Sequence, residues 1–169
     1  LIDSLATTAA LAEVFSDRSI LQAMLDFEAA LARAEASAGM IPARAAQAIA
    51  TAATADSLDA ADIARGARDS GTVSIPFLKM LTARVQATDP SSARFVHFGA
   101  TSQDVIDTAL VLQMRDGLTQ LADDLADAAD TLATLAESHR MSVMPRRTLL
   151  QQAVPITFGL KAARWLGSI

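Results

Sequence analysis

Thr101–Leu135 reads TSQDVIDTALVLQMRDGLTQLADDLADAADTLATL. Apolar residues recur in it at Ile106, Leu110, Met114, Leu118, Leu121, Leu125, Ala128, Leu132 and Leu135, in steps of 4, 4, 4, 3, 4, 3, 4 and 3. Such steps keep side chains on one face of an α-helix. The run predicts a helix starting at Thr101 or Ser102, about nine turns and about 50 Å long at 1.5 Å per residue. A helix of that length belongs to a long bundle or a coiled coil. Asp123, Asp124, Asp127 and Asp130 read as its solvated face.

The rest of the chain agrees with an all-α fold. Of 169 residues, 51% are hydrophobic and only 4% aromatic. Ala and Leu, strong helix formers, dominate the apolar set, and a sheet has few β-branched or aromatic residues to build from. Ser16 or Asp17 opens a helix with Ile20, Met24, Phe27, Leu31 and Ala34 on one face, and Gly39 stops it. Pro42 precedes a helix over roughly Ala43–Ala55, and Ser57 is placed to cap Leu58–Asp69 with Ile63 facing in. Ser70-Gly71-Thr72 breaks the chain, and Ser74 is placed to cap the next helix, with Leu78, Leu81 and Val85 inward. Arg140–Arg147 reads as an irregular connection, and a last helix starts near Pro155 and still runs at Ile169.

Several classes are excluded. With no Cys there is no disulfide framework and no thiolate metal site; with two His, a His-rich metal centre is not expected. A net charge of −5 argues against a nucleic-acid partner. No run of about 18 apolar residues predicts a membrane span, and Leu1-Ile2-Asp3-Ser4 shows no signal segment. A cytoplasmic location is expected. Two long helices with short ones cannot cover so long a seam, so the chain is expected to be the N-terminal piece of something larger or to assemble with other chains. The expected division is an N-terminal helical domain over 1–100 and the start of a long-helix bundle over 101–169.

Three segments carry candidate chemistry. In His97-Phe98-Gly99-Ala100-Thr101-Ser102-Gln103-Asp104 a glycine turn brings two hydroxyls to a helix N-terminus, where unpaired N–H groups and a partial positive charge suit a carboxylate or phosphate. Ser and Thr are also ordinary N-caps. Met144–Pro155 holds the adjacent Arg146 and Arg147, suited to bidentate carboxylate recognition, with Thr148, Gln151 and Gln152 as neutral donors; a solvated basic loop fits equally. Ser70-Gly71-Thr72-Val73-Ser74 alone reads as capping. His97 reads as a hydrogen-bonded buried residue or a site residue, and His139 as a cation near a helix C-terminus.

Together these stretches resemble a known family. RFVHFGATSQDVIDTALVL, Arg94–Leu112, resembles the first signature region of the fumarase/aspartase superfamily, which includes adenylosuccinate and argininosuccinate lyases. MPRRTLLQQAVPITFGLKAARW, Met144–Trp165, resembles its second region. AEVFSDRSILQAMLDFEAALARAEASAGMIP, Ala12–Pro42, is similar to its N-terminal helices, and Arg-Thr-Leu-Leu-Gln-Gln looks most like the cycloisomerase branch.

The resemblance implies a mostly helical enzyme more than twice this length. Five long helices per subunit would form a homotetrameric core, and each active site would draw on three subunits. The implied reaction closes 3-carboxy-cis,cis-muconate to 4-carboxymuconolactone, a step of protocatechuate breakdown in the beta-ketoadipate pathway, with no metal or organic cofactor. The substrate would be a small polycarboxylate. By resemblance Thr101 and Ser102 face it, Ser102 with a catalytic part. Arg147 and Thr148 hold a second carboxylate, Thr72 and His97 contact substrate, and Gln152 stands where an acid is wanted without being a competent one.

Two departures matter. In the amino-acid and fumarate lyases of the superfamily the threonine of the second region is followed by a catalytic His; here Thr148 is followed by Leu149. The cycloisomerases lack that His too, so the departure supports that branch. The superfamily's mobile Ser-Ser loop with the general base has no match here, so these 169 residues alone are expected to be inactive. The alternatives are another lyase of the superfamily, or a non-catalytic helical assembly module.

Overall fold

Ser16 heads the first long apolar run, and its hydroxyl accepts from the Ser19 amide at 3.2 Å, which satisfies one of the donors left over at a helix N-terminus. Helix α2, Asp17–Ser37, follows a short α1 at Ala9–Val14. At its end Gly39 takes φ +74°. The amides of Gly39 and Met40 bond to the carbonyls of Ala36 and Glu35 at 3.1 and 2.8 Å, a left-handed cap that favours glycine. This computed structural model describes residues 6–169; the stretch Leu1–Ser4, read above for a signal segment, lies outside the described residues.

Pro42 precedes α3, Ala43–Ala52, and a single 3₁₀ turn at Ala55–Ser57 leads to α4, Ala60–Ser70. The cap of α4 is Asp59, whose carboxylate accepts from Ala61 and Asp62 at 2.8 and 3.2 Å; the Ser57 side chain, the expected cap, lies outside the described ones. Helix α5 is Ser74–Thr88. Ser74 is its first helical residue, not its cap: it is buried, and its amide donates to Thr72 Oγ1 at 3.3 Å. A 3₁₀ turn at Ala93–Phe95 precedes the longest element, α6, Ser102–Ser138, 37 residues.

The expectation fails after α6. Val143–Thr148 and Gln151–Thr157 are strands β1 and β2 of an antiparallel hairpin, where an irregular connection and a helix from Pro155 were expected. The last helix, α7, is Phe158–Leu166, capped by the Thr157 hydroxyl and closed at Gly167, so it does not run to Ile169. Two prolines face each other in this ladder, Pro145 and Pro155, and its register shifts between Pro145 and Arg147. Proline cannot donate to a ladder, which confines it to edges and bulges; a two-stranded hairpin is all edge. The architecture remains helical.

The chain divides into two compact units, Leu1–Gly117 and Leu118–Ile169, with the boundary inside α6. In the first, Met24 and Leu25 of α2, Ile49 of α3, Phe77, Leu81 and Val85 of α5 and Val105 of α6 are fully buried together. Each such side chain contributes roughly 1.5–3 kcal/mol of burial. The buried face of α2 is centred on Leu21, Leu25, Glu28, Ala32 and Glu35; of the expected face only Met24 is buried, and Ala34 is exposed. In the second unit α7 lies close on the end of α6. A Cβ on Gly159 would fall 2.5 Å from the Ala136 carbonyl and 2.8 Å from Arg140 Cα, so only glycine fits. The Phe158 and Gly159 amides donate to the Ser142 and His139 carbonyls at 2.8 and 3.0 Å. No helix among the described residues is long and apolar enough to cross a membrane.

Ile106 packs against the core, but from Leu110 to Leu125 the apolar seam of α6 is turned to the surface. Val105, Ala109, Gln113 and Gly117 are buried, while Leu110, Met114, Leu118, Leu121 and Leu125 are exposed. The two rows are one residue apart, about 100° around the helix.

Candidate functional site

The first unit presents the loop that precedes α6. His97 holds φ +57° and Gly99 φ +73°, so the chain turns sharply twice before the helix begins. The Thr101 amide donates to the Asp104 carboxylate at 2.7 Å, and the Asp104 amide returns to the Thr101 carbonyl at 3.1 Å. The acid in the first turn of α6 therefore performs the reach-back half of a capping box. Neither the Thr101 nor the Ser102 hydroxyl bonds to another described residue. Two hydroxyls thus stand free at the N-terminus of a 37-residue helix, where early amides lack intrahelical acceptors and a partial positive charge favours anions.

His97 is anchored from below. Its amide donates to Glu28 Oε2 at 3.1 Å, and its ring Nδ1 lies 2.6 Å from Glu28 Oε1. Glu28 is 1% exposed and Glu35, on the same face of α2, 6%. Burial raises the pKa of both carboxyls; His97 opposes this at Glu28 by hydrogen bonds and charge, and at Glu35 by charge. The sequence reading missed both acids. Their signal is the stripe Leu21, Leu25, Glu28, Ala32, Glu35, where charged residues occupy positions the helix period turns inward.

Thr72 lies on another turn of the same unit, after Gly71 at φ +71°. Its hydroxyl is 3.0 Å from Ser74 Oγ, and its carbonyl accepts from the Ser70 hydroxyl at 2.9 Å. Its hydrogen bonds among the described residues are with Ser70 and Ser74, not with His97–Ser102.

The second unit holds Arg147, Thr148 and Gln152 on the hairpin. Arg147 pairs with Gln152 and Thr148 with Gln151 across the ladder, so residues separated in sequence are neighbours here. Leu149 and Leu150 form the two-residue tip with φ +37° and +65°, and both are exposed. Beside the stem a pocket of about 320 Å³ is lined by Arg146, Arg147, Lys161 and Arg164 together with Trp165. The Lys161 ammonium stacks on the Trp165 ring at 4.9 Å, and none of the four cations has an acidic partner among the described residues. Four unneutralised cations give this pocket a local positive charge in a chain of net charge −5. His139 instead bonds the Ser142 hydroxyl at 3.1 Å and packs edge-on against Phe158, and Asp123, Asp124, Asp127 and Asp130 are all exposed.

The chain is similar to known proteins in sequence and in fold. The chain is 50% identical over 169 residues to 3-carboxy-cis,cis-muconate cycloisomerase of Bradyrhizobium diazoefficiens, covering 100% of this chain and 38% of that protein. It is 46% identical over 151 residues to nitrosuccinate lyase of Streptomyces davaonensis, covering 89% of this chain and 32% of that one. The crystal structure of 3-carboxy-cis,cis-muconate lactonizing enzyme from Pseudomonas putida superposes with a TM-score of 0.96 at 47% identity, over 99% of this chain and 38% of that chain. The chain therefore spans well under half the length of these relatives. The lyase family model matches residues 5–169, and the chain belongs to that family.

Proposed function

We propose that the protein is a cycloisomerase that closes 3-carboxy-cis,cis-muconate to 4-carboxymuconolactone in protocatechuate breakdown. The supporting observation is the pair of free hydroxyls, Thr101 and Ser102, at the start of α6, with Asp104 taking over part of the capping. In the reaction a substrate carboxylate oxygen bonds to a carbon of a conjugated double bond. The π electrons move onto the neighbouring carboxyl as an aci-carboxylate, and a proton then adds at the adjacent carbon, so no atom leaves. Charge builds on one carboxyl in the transition state, and fixed donors aimed at it are the means of catalysis. Ser102 and Thr101 supply those donors. Arg147, with Thr148 beside it, holds a second carboxylate; His97 and Thr72 contact substrate, and Gln152 contributes a hydrogen bond on the hairpin. The lysine and three arginines of the hairpin pocket suit a polycarboxylate.

The working form is a homotetramer in the cytoplasm, with subunits covering one another's α6 seam and different subunits contributing to each active site. The group that delivers this proton, the general base of the reverse reaction, lies outside these 169 residues on this reading, so the isolated chain does not turn over. A second reading, another lyase of the superfamily, draws on the nitrosuccinate lyase likeness.

The test uses the full-length protein. Lactone formation from 3-carboxy-cis,cis-muconate with no turnover of nitrosuccinate, adenylosuccinate or argininosuccinate is expected; the reverse selectivity establishes the second reading. Ser102→Ala is expected to lower kcat about 10²–10³-fold, the loss seen when one such donor is removed. A change confined to a capping loss of about 0.5–2 kcal/mol in stability shows that Ser102 serves the helix alone.

A further inference from the structure

Glu28 and Glu35 occupy a buried stripe of α2, and a carboxylate there needs partners, because burying a charge without compensation is costly. Both partners of Glu28 belong to one residue, 69 positions along the chain: the His97 amide and the His97 ring. A two-point hold fixes orientation as well as position, since backbone and ring cannot turn independently. His97 requires it, because φ +57° is sparsely populated by residues other than glycine and is held only where surroundings over-determine it. Glu35 stands under the next turn: a Cβ on Gly99 would lie 3.7 Å from its Oε1, and its Oε2 has no hydrogen-bond partner. Two and three residues beyond Gly99 come Thr101 and Ser102.

We propose that Glu28 is a positioning residue: its hold on His97 fixes the path of residues 97–100 and thereby places the Thr101 and Ser102 hydroxyls and the His97 ring. The proposal rests on the reading of Thr101 and Ser102 as substrate-facing. On this proposal both Glu28 oxygens accept and the ring proton sits on Nδ1; Nε2, which bonds to no described residue, is left open. The ring is then oriented as the carboxylate partner of a working histidine orients it.

The experiment uses the full-length enzyme. Glu28→Gln keeps the shape but puts an NH₂ where one of the two accepting oxygens stood, so one of the two His97 contacts loses its acceptor. In the folded variant kcat on 3-carboxy-cis,cis-muconate is expected to fall about 10- to 100-fold, the scale of a small misplacement, with KM changed far less. His97→Gln, whose amide can still donate to Glu28, is expected to lose a similar factor. The double variant is expected to be no worse than the worse single one, because the two residues act as one device. Nitrogen NMR of the His97 ring gives a readout independent of substrate: Nδ1–H in the parent, lost in Glu28→Gln. The titratable groups facing the ring are Glu28 and Glu35, so the spectra are taken across their ionisation. A folded Glu28→Gln with kcat within twofold of the parent overturns the proposal, as do losses that multiply in the double variant. If Glu28→Gln does not fold, His97→Gln with normal kcat overturns it. A parent enzyme inactive on 3-carboxy-cis,cis-muconate defeats the functional reading instead, and the ring tautomer then decides the role of Glu28: Nε2–H in the parent overturns it.

Discussion

Asp89 gathers three donors at the end of α5. The Ser91 and Ser92 hydroxyls lie at 2.7 and 2.9 Å, and Arg44 Nε at 2.6 Å. The Ser91 hydrogen bond first, then those from Arg44 and Ser92, lower its pKa from 3.8 to about 2. A carboxyl depressed by folding stabilises the native state fully above its unfolded pKa and loses that contribution as pH falls through its folded value. Thermal melts of the parent from pH 5 downward are therefore expected to show a loss of stability between about 4 and 2 to which Asp89 contributes. Asp89→Asn is expected to melt lower at pH 6 and to flatten that part of the curve; an unchanged acid limb refutes the assignment. Glu28 and Glu35 act in the opposite sense. Their raised values mean that ionising them, as pH rises above 4.5, costs stability. None of these three acids stood out in the sequence. A buried charge is invisible until its partner is known, and His97 is 69 residues from Glu28. The hydroxyl pair Thr101–Ser102 was legible because its meaning is local: a glycine turn, two alcohols and a helix start are consecutive.

At the scale of elements, what was legible followed period. The starts of α2, α3 and α6 came from caps and spacing three to four residues apart, which are properties of neighbouring residues. The hairpin was hidden because its strands carry Pro145, Arg146, Arg147, Gln151, Gln152 and Pro155 and show no alternation of apolar and polar faces. Its turn was hidden too. A two-residue loop with positive φ at both positions favours Asn-Gly, yet Leu149 and Leu150 stand there, 91% and 104% exposed. Two bulky residues in left-handed conformations on a bare tip are costly to the hairpin, a cost that a use for the apolar tip accounts for. Replacing them, Leu149→Asn with Leu150→Gly, is expected to relieve about 1 kcal/mol or more of backbone strain. The full-length variant should show slower hydrogen exchange in residues 143–157, with turnover reduced because the apolar tip is gone. Faster exchange there refutes the strain; unchanged turnover refutes the use.

For the whole molecule the decisive feature is the row of leucines that α6 turns away from its own core. Leu118 is 63% exposed and Leu125 48%, and with Leu110, Met114 and Leu121 they form a continuous strip. Isolated exposed leucines are ordinary, but a contiguous apolar strip marks an interaction surface. The periodicity identified the strip correctly as apolar and helical. It could not say which surface covers it, because a row buried in a monomer and a row buried between subunits have the same spacing. Covering one leucine contributes roughly 1.5–3 kcal/mol, and in a symmetric assembly each position counts once per subunit. Placing carboxylates there tests the proposed assembly while sparing the fold, since the buried row Val105, Ala109, Gln113 and Gly117 is a separate row about 100° around the helix. In the full-length protein Leu118→Glu with Leu125→Glu is expected to keep its helical circular dichroism, to fall from the mass of a tetramer to that of smaller species in light scattering, and to lose turnover with the assembly. Retention of the parent mass would show that the strip is covered within one subunit, and the intersubunit active site would lose its support.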